Sequence, residues 1–264
     1  MTKSIVTLSF SLLIALCAFA HASYDCLPES AMSFPIMGQK SGDNDLKMRV
    51  DQQLAHFKAV MGPIVKKAIK KDLSLKLDWE NPRVNASATR DEADNPILIL
   101  LGGMVRHPQL TPDGLYGILC HELGHHLAGS PKKRRGRSDK LSWSSAEGQA
   151  DYYSTSVCLP KVFHKPNYTT NPAHYSDSKE VSYALELCSG VDRCVRVSLA
   201  GLSMARVFAS LRDYGDLPRL ESTDYNEAWE TILGHPDPQC RLDTMKAGAL
   251  TKKRPRCWYH SEIN

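Results

Sequence analysis

Beyond residue 20 the chain has no apolar run approaching the roughly 20 residues that a bilayer-spanning helix requires, so no transmembrane segment is expected after the leader. It also lacks a dominant charge of one sign. The 33 Lys and Arg stand against 29 Asp and Glu, a net charge of +4, too mild to point to a polyanionic partner. No nucleic-acid-binding module is recognisable, and nucleic acid is not expected as a partner. There is no internal repeat, which excludes solenoids and propellers. Strands and helices do not alternate in the βαβ manner, which argues against a doubly wound parallel sheet.

What is present begins with an address. Lys3 precedes an apolar run from Ile5 to Ala20, and Ala20-His21-Ala22 supplies small residues at a cleavage site. This layout reads as a secretory signal peptide over residues 1–22, with the mature chain starting at Ser23 and exported to a periplasm or the cell exterior. The competing reading is an uncleaved anchor, for which the run is short. Removal of the leader leaves 242 of the 264 residues, a net charge of +3 and seven cysteines, at 26, 120, 158, 188, 194, 240 and 257. That length can hold one large domain, expected over 23–264. In an exported chain the cysteines are candidates for pairing, and an odd number leaves one over. Cys188 and Cys194 are spaced to close a small loop.

Along the chain, Asp45 to Lys70 has apolar residues at helical spacing, with Pro63 placed to kink or split the helix. Leu73 to Trp79 alternates like a strand, and Val84 to Thr89 and Ile97 to Leu101 are further strand candidates around an Asp94-Asn95-Pro96 turn. The unbroken apolar run 97–101 predicts a strand covered on both faces, ended by Gly102-Gly103. Thr111-Pro112-Asp113 is a helix start, with Thr111 as N-cap and Pro112 in the first turn. Leu115, Ile118, Leu119 and Leu123 give that helix a buried side, and Gly129 terminates it. After a basic loop a second helix is expected from about Ser145 to Cys158. From Glu180 onward the chain reads as mainly helical, with 193–211 the longest segment. The class is α+β.

Residues 121–125 read His-Glu-Leu-Gly-His. On a helix, His121 and His125 lie about 40° apart on one face, so both can bind one metal ion while Glu122 is aimed at its open position. Such an arrangement suits zinc with a carboxylate base. The extended pattern with a third His is absent, since Ala128 and Pro131 occupy its Gly and His places. A third ligand must come from elsewhere, and Glu147 and Asp151, four apart, share a helix face. Glu147 can bind zinc while Asp151 accepts the free ring N–H of a ligand His. The bland alternative for this pair is a solvated acidic face.

His-Glu-Leu-Gly-His at 121–125, Glu-Gly-Gln-Ala-Asp at 147–151 and His235-Pro236 followed by Arg241 resemble the three motifs of the M48 family of gluzincin metallopeptidases. Val84-Asn85-Ala86 and Gly102-Gly103 echo two further family positions, and the resemblance covers roughly 84–250. It implies a zincin-like, mostly helical domain with a small sheet packed on the zinc helix and substrate laid along an edge strand. It implies one zinc per chain on His121, His125 and Glu147, with Glu122 as general base and acid. His235 would stand near the metal, as an oxyanion donor or a cap on the open position, with Arg241 positioning that segment. The chain departs from the family in the short connection of 21 residues between His125 and Glu147, and in its lack of membrane helices after the leader.

Other features are set aside or left open. His126 points away from His121 and is left out of the metal shell. Cys120 and Cys158 lie on the two ligand-bearing helices, and a bridge between them would tie these together. The run Lys132-Lys-Arg-Arg-Gly-Arg137 reads as an exposed loop or as a contact for an anionic partner. Asn85 and Asn167 stand in glycosylation-type sequons. The expected function is zinc-dependent endopeptidase cleavage of peptide or protein substrates. The rival from another class is a non-catalytic, zinc-stabilised binding or chaperone-like protein, and hydrolysis of a non-peptide amide would use the same residues. On export from a producing host, N-terminal sequencing of the product is expected to begin at Ser23; a chain beginning at Met1 would instead mean a retained anchor.

Overall fold

The computed structural model describes residues 24–25, 31–36, 41–135, 140–164, 178–211 and 215–260. The expectations for the leader, Cys26, Arg137 and Asn167 lie outside these residues. The architecture is α+β: helices surround a four-stranded sheet and a separate two-stranded hairpin.

Helix α1 (Ser41–Ile69) runs through Pro63 without breaking. A proline inside a helix costs on the order of 3 kcal/mol. Here Pro63 is exposed, while Met61 and Val65 on either side of it are fully buried and hold both halves of the helix to the core. Strands β1 (Tyr24–Asp25), β2 (Ser74–Asp78), β3 (Ala86–Arg90) and β4 (Pro96–Leu101) form one sheet in the order β1-β3-β4-β2. β4 pairs antiparallel with β3 and parallel with β2, and its largely buried residues match the unbroken apolar run. The Asp91 carboxylate organises the β3–β4 turn by accepting from the Ala93 and Asn95 backbone N–H groups, at 3.0 and 2.8 Å. Gly102 and Gly103 end β4 and open a single helical turn, α2 (Gly102–Val105). A Cβ at these two positions would stand 1.9 Å from Trp79 O and 1.8 Å from Pro82 O, so no side chain fits at either.

Helix α3 (Pro112–Leu127) starts as the sequence dictates. The Thr111 hydroxyl accepts from the Gly114 N–H at 3.0 Å, and Gly129 adopts φ 77° just past the helix end. It is buried on every side from Gly114 to His126, not only along the expected apolar stripe. The reason is its central position: β3 and β4 lie on it, and so do several elements that follow it in the chain. Among these are strand β6 (Leu141–Ser145), which forms a hairpin with β5 (Lys132–Arg134), then α4 (Glu147–Tyr153) and α7 (Asp192–Ser210).

The hairpin corrects the expectation of a plain basic loop, while the helix expected from about Ser145 to Cys158 is present and begins at Glu147. Its strands are 3 and 5 residues long, and β6 turns Ser142, Ser144 and Ser145 inward while Leu141 faces out. Apolar alternation therefore could not reveal it. After α4 the rod continues as a π-helical stretch, Ser154–Cys158, and then α5 (Leu159–Val162). The Ser154 and Ser156 hydroxyls donate back to the carbonyls of Asp151 and Tyr152 at 2.9 and 2.6 Å, a side-chain competition that loosens the regular ladder. α6 (Ser178–Leu187), α7 and α8 (Pro238–Ala249) complete the helices, but residues 215–237 are irregular, against the expectation of a mainly helical remainder. Side chains satisfy this segment's backbone: Glu180 accepts from Leu220 N–H at 3.0 Å, and Lys246 donates to Leu220 O and Ser222 O at 3.1 and 2.9 Å.

Among the described residues no helix is long and apolar enough to cross a membrane. Among the described residues three disulfides join Cys120–Cys158, Cys188–Cys194 and Cys240–Cys257. The first ties α3 to the rod that carries α4, as the sequence suggested; the third was not anticipated. Loop closure in the unfolded chain is worth about 4 kcal/mol for the bridge spanning 38 residues and about 2 kcal/mol for the one spanning 6. Urea unfolding of the two Cys→Ala double variants should therefore show the larger loss for Cys120/Cys158, and equal losses would contradict this ranking.

Candidate metal centre

The site is built where α3 meets the first turn of α4. α3 presents His121 and His125 one turn apart, their rings edge-on at 89° with centroids 4.8 Å apart. Glu147, the first residue of α4, points between them: Oε2 lies 3.1 Å from His121 Nε2 and Oε1 lies 3.6 Å from His125 Nε2. Two ligands each about 2.1 Å from a tetrahedral ion stand about 3.4 Å from one another, so both separations suit ligands of one metal. The three ligand atoms all fall within 4.8 Å of each other, and the three side chains are wholly buried.

The two helices approach this closely because of glycine. A Cβ at Gly124, the residue between Leu123 and His125, would lie 2.9 Å from Ala150 Cα, so a side chain there would push α4 and Glu147 away. At Gly148 a Cβ would meet the Trp258 indole at 2.4 Å. Trp258 is fully buried and packs against the start of α4.

Each imidazole is fixed from behind. His121 Nδ1 donates to Asp151 Oδ1 at 2.7 Å, and His125 Nδ1 donates to the Ser145 carbonyl at 2.9 Å. A carbonyl can only accept, so the neutral His125 ring carries its proton on Nδ1 and leaves Nε2 as a lone pair. That Nε2 is buried with no hydrogen-bond partner, facing a carboxylate oxygen that is itself an acceptor. Two facing acceptors repel unless a cation lies between them, so the residues fit a metal ion. Arg241 grips Asp151 bidentately, Nε to Oδ2 at 2.8 Å and Nη2 to Oδ1 at 2.9 Å, while its guanidinium carbon lies 3.7 Å from the centre of the Phe208 ring. The order Arg241–Asp151–His121 fixes the histidine's tautomer and direction.

The electrostatics favour the ligating forms. Burial alone would raise the Glu147 carboxyl, but the Lys133 ammonium, His125 and His121 outweigh it and hold the group well below the ordinary carboxylate range. Asp151 is opposed by burial in the same way, yet is lowered by Arg241 and His121. His125 is pushed well below an ordinary histidine, chiefly by burial. Ionised carboxylate and neutral imidazole are the states that bind a metal.

The structure thus brings together His121, His125, Glu147, Asp151 and Arg241. Glu122 is buried beside them on α3, at 1% exposure. His235, from the irregular 215–237 segment, reaches in with Nε2 3.6 Å from Glu147 Oε1 and keeps 22% of its side chain exposed. His126 is excluded from the group, as expected: it stacks on Trp143 at 4.5 Å and 10°, and burial with the nearby Arg90 and Lys132 charges pushes it down to about 3. Two participants were not foreseen. Lys133, within the run read as an exposed loop, turns inward and pairs with Glu147 Oε1. Ser145 supplies the carbonyl behind His125, and a backbone partner of this kind leaves no mark in sequence. Lys132 also faces inward, donating to Trp143 O at 2.9 Å, which leaves less of the run for an external partner. A second grouping, Asp224 with Cys240 and Cys257, offers no thiolate because the two cysteines are joined to each other.

Comparison with family models, curated proteins and solved structures gives no match. Removing a partner that orients a metal-binding histidine typically weakens the metal about 10- to 100-fold. Asp151→Asn should show a loss of that size in a competitive chelator titration, and Glu147→Gln a larger one. An unchanged dissociation constant for Asp151→Asn would remove Asp151 from this role.

Proposed function

We propose that the protein is a zinc-dependent endopeptidase, similar in its three motifs to the M48 gluzincins, acting on polypeptides outside the cytoplasm. The observation that carries this reading is the buried His121–His125–Glu147 group with Glu122 on the same helix. Bound zinc would supply Lewis acidity and a water activated near neutral pH. Glu122 accepts the proton of the attacking water and returns it to the departing amine. His235, partly exposed, donates to the oxygen on which charge develops as the carbonyl is attacked. Arg241 and Asp151 hold His121 against rotation throughout. Export through a cleaved leader belongs to this proposal, and three disulfides suit an oxidising compartment.

The pairing of Lys133 with Glu147 favours a second reading, a non-catalytic zinc-stabilised binding or chaperone-like protein, since an ammonium beside the ligand carboxylate can guard the open position. A peptide library incubated with the zinc-loaded chain separates the two. Glu122→Gln should retain one zinc by elemental analysis and lose about 100-fold or more of the cleavage rate. His235→Ala should also retain zinc while lowering turnover. Identical cutting by the wild type and Glu122→Gln would rule out the proposed base, and no cutting by any form would favour the binding protein.

A further inference from the structure

Among the described residues eight large apolar side chains are exposed, and three of them lie within one short stretch. Tyr225 is 88% exposed, Trp229 82% and Ile232 37%, all on the irregular segment that ends in His235. Exposed aromatics on a loose loop would carry little information, but this backbone is held. Ala228 N–H donates to Arg256 O and Ile232 N–H to Trp258 O, both at 2.9 Å, and the Thr231 hydroxyl donates to His260 O at 3.2 Å. The 256–260 stretch behind it is anchored twice: Cys257 is bonded to Cys240 in α8, and the buried Trp258 indole lies against Gly148, next to Glu147. The strip is thus a fixed frame with its apolar side chains turned outward, two contacts removed from a metal-binding carboxylate.

Chain length sets its reach. Ile232 and Trp229 stand three and six positions before His235, which at most about 3.6 Å per residue places them within about 11 and 22 Å of it. That is the span of the few residues of an extended peptide lying beside its scissile bond.

We propose that Tyr225, Trp229 and Ile232 form a docking strip for apolar side chains of an extended polypeptide substrate, which His235 delimits at the metal centre. This rests on the peptidase reading above. A bilayer is the poorer occupant, because exposed Glu227 and Glu230 alternate with the apolar residues and would have to enter the interface with them. A second copy of the chain is poorer too. Two aromatics and an isoleucine supply at most about 600 Å², below the roughly 800 Å² per partner of a stable interface. Glu227 is paired with Arg256 at 2.9 Å, so the strip has no strong charge of one sign and selects by apolar contact.

The test uses the full mature chain carrying Glu122→Gln, loaded with zinc. Two fluorescently labelled synthetic 14-residue peptides serve as probes, one rich in Leu and Phe, the other built from Ser and Gly, each with the same number of lysines. The Leu/Phe peptide is expected to bind at least tenfold more tightly by anisotropy. Trp229→Ala should weaken it about tenfold, and adding Tyr225→Ala should weaken it further, with the circular dichroism spectrum and zinc content unchanged. Absence of binding, or equal binding by the parent and Trp229→Ala, would overturn the strip. So would a dimer in sedimentation that Trp229→Ala dissolves, or vesicle binding that is lost without loss of peptide binding. Cleavage by the Glu122-intact chain is scored separately. Trp229-dependent binding without cleavage sinks the peptidase reading and keeps the strip, whereas cleavage with Trp229-independent binding does the reverse.

Discussion

A buried chain of charge runs from Arg241 through Asp151 and His121 to Glu147, and the rest of the molecule is arranged to make it tolerable. All four side chains are at most 1% exposed. Taking such groups out of water costs several kcal/mol per ion, and pairing recovers this only when every donor and acceptor is met. Apolar residues of the same volume would serve stability as well or better, so a network of this kind points to chemistry. Arg241 meets both oxygens of Asp151, Asp151 meets His121, and Lys133 brings a second cation to Glu147. Beside this network His125 Nε2 is buried without a hydrogen bond, at the point where a metal ion would bind.

That network constrains every neighbouring element. α3 must be central, because its histidines need partners from α4 and β6 at once. α4 must come within glycine distance of α3, and the Cys120–Cys158 bridge locks the rod that carries it. α8 must deliver Arg241, and the Cys240–Cys257 bridge fastens the helix to the C-terminal stretch whose Trp258 presses on Gly148. The irregular 215–237 segment carries His235 to within 3.6 Å of Glu147, where it keeps 22% of its side chain exposed. Rigidity is concentrated behind the candidate metal centre, and His235 is its partly exposed neighbour.

Much of this was legible from residue order because it rests on local physics. The Thr111 cap, the Gly129 stop, the strands on either side of the Asp94 turn and the one-turn spacing of His121 and His125 depend on a few consecutive residues. Glu147 and Asp151 were readable for the same reason, as two carboxylates one helical turn apart. The hairpin was not readable, because β6 buries serines and β5 is made of lysines and arginine, which removes the alternation that marks a strand. Nor was the continuity of α1 through Pro63, which depends on Met61 and Val65 finding a core supplied by other segments.

The sequence alone thus pointed to the candidate ligand group, the helix that presents two of its members and the helical spacing of the carboxylates, since the spacings follow from the 3.6-residue period and the candidacy from the chemistry of each side chain. Tertiary structure alone decided which partner stands behind each ligand. Ser145 O rather than a side chain orients His125, Lys133 turns inward to Glu147, and Arg241 reaches Asp151 across 90 residues of chain. Such pairings depend on where folded segments cross, and a backbone carbonyl or an inward-turned lysine is indistinguishable in sequence from any other.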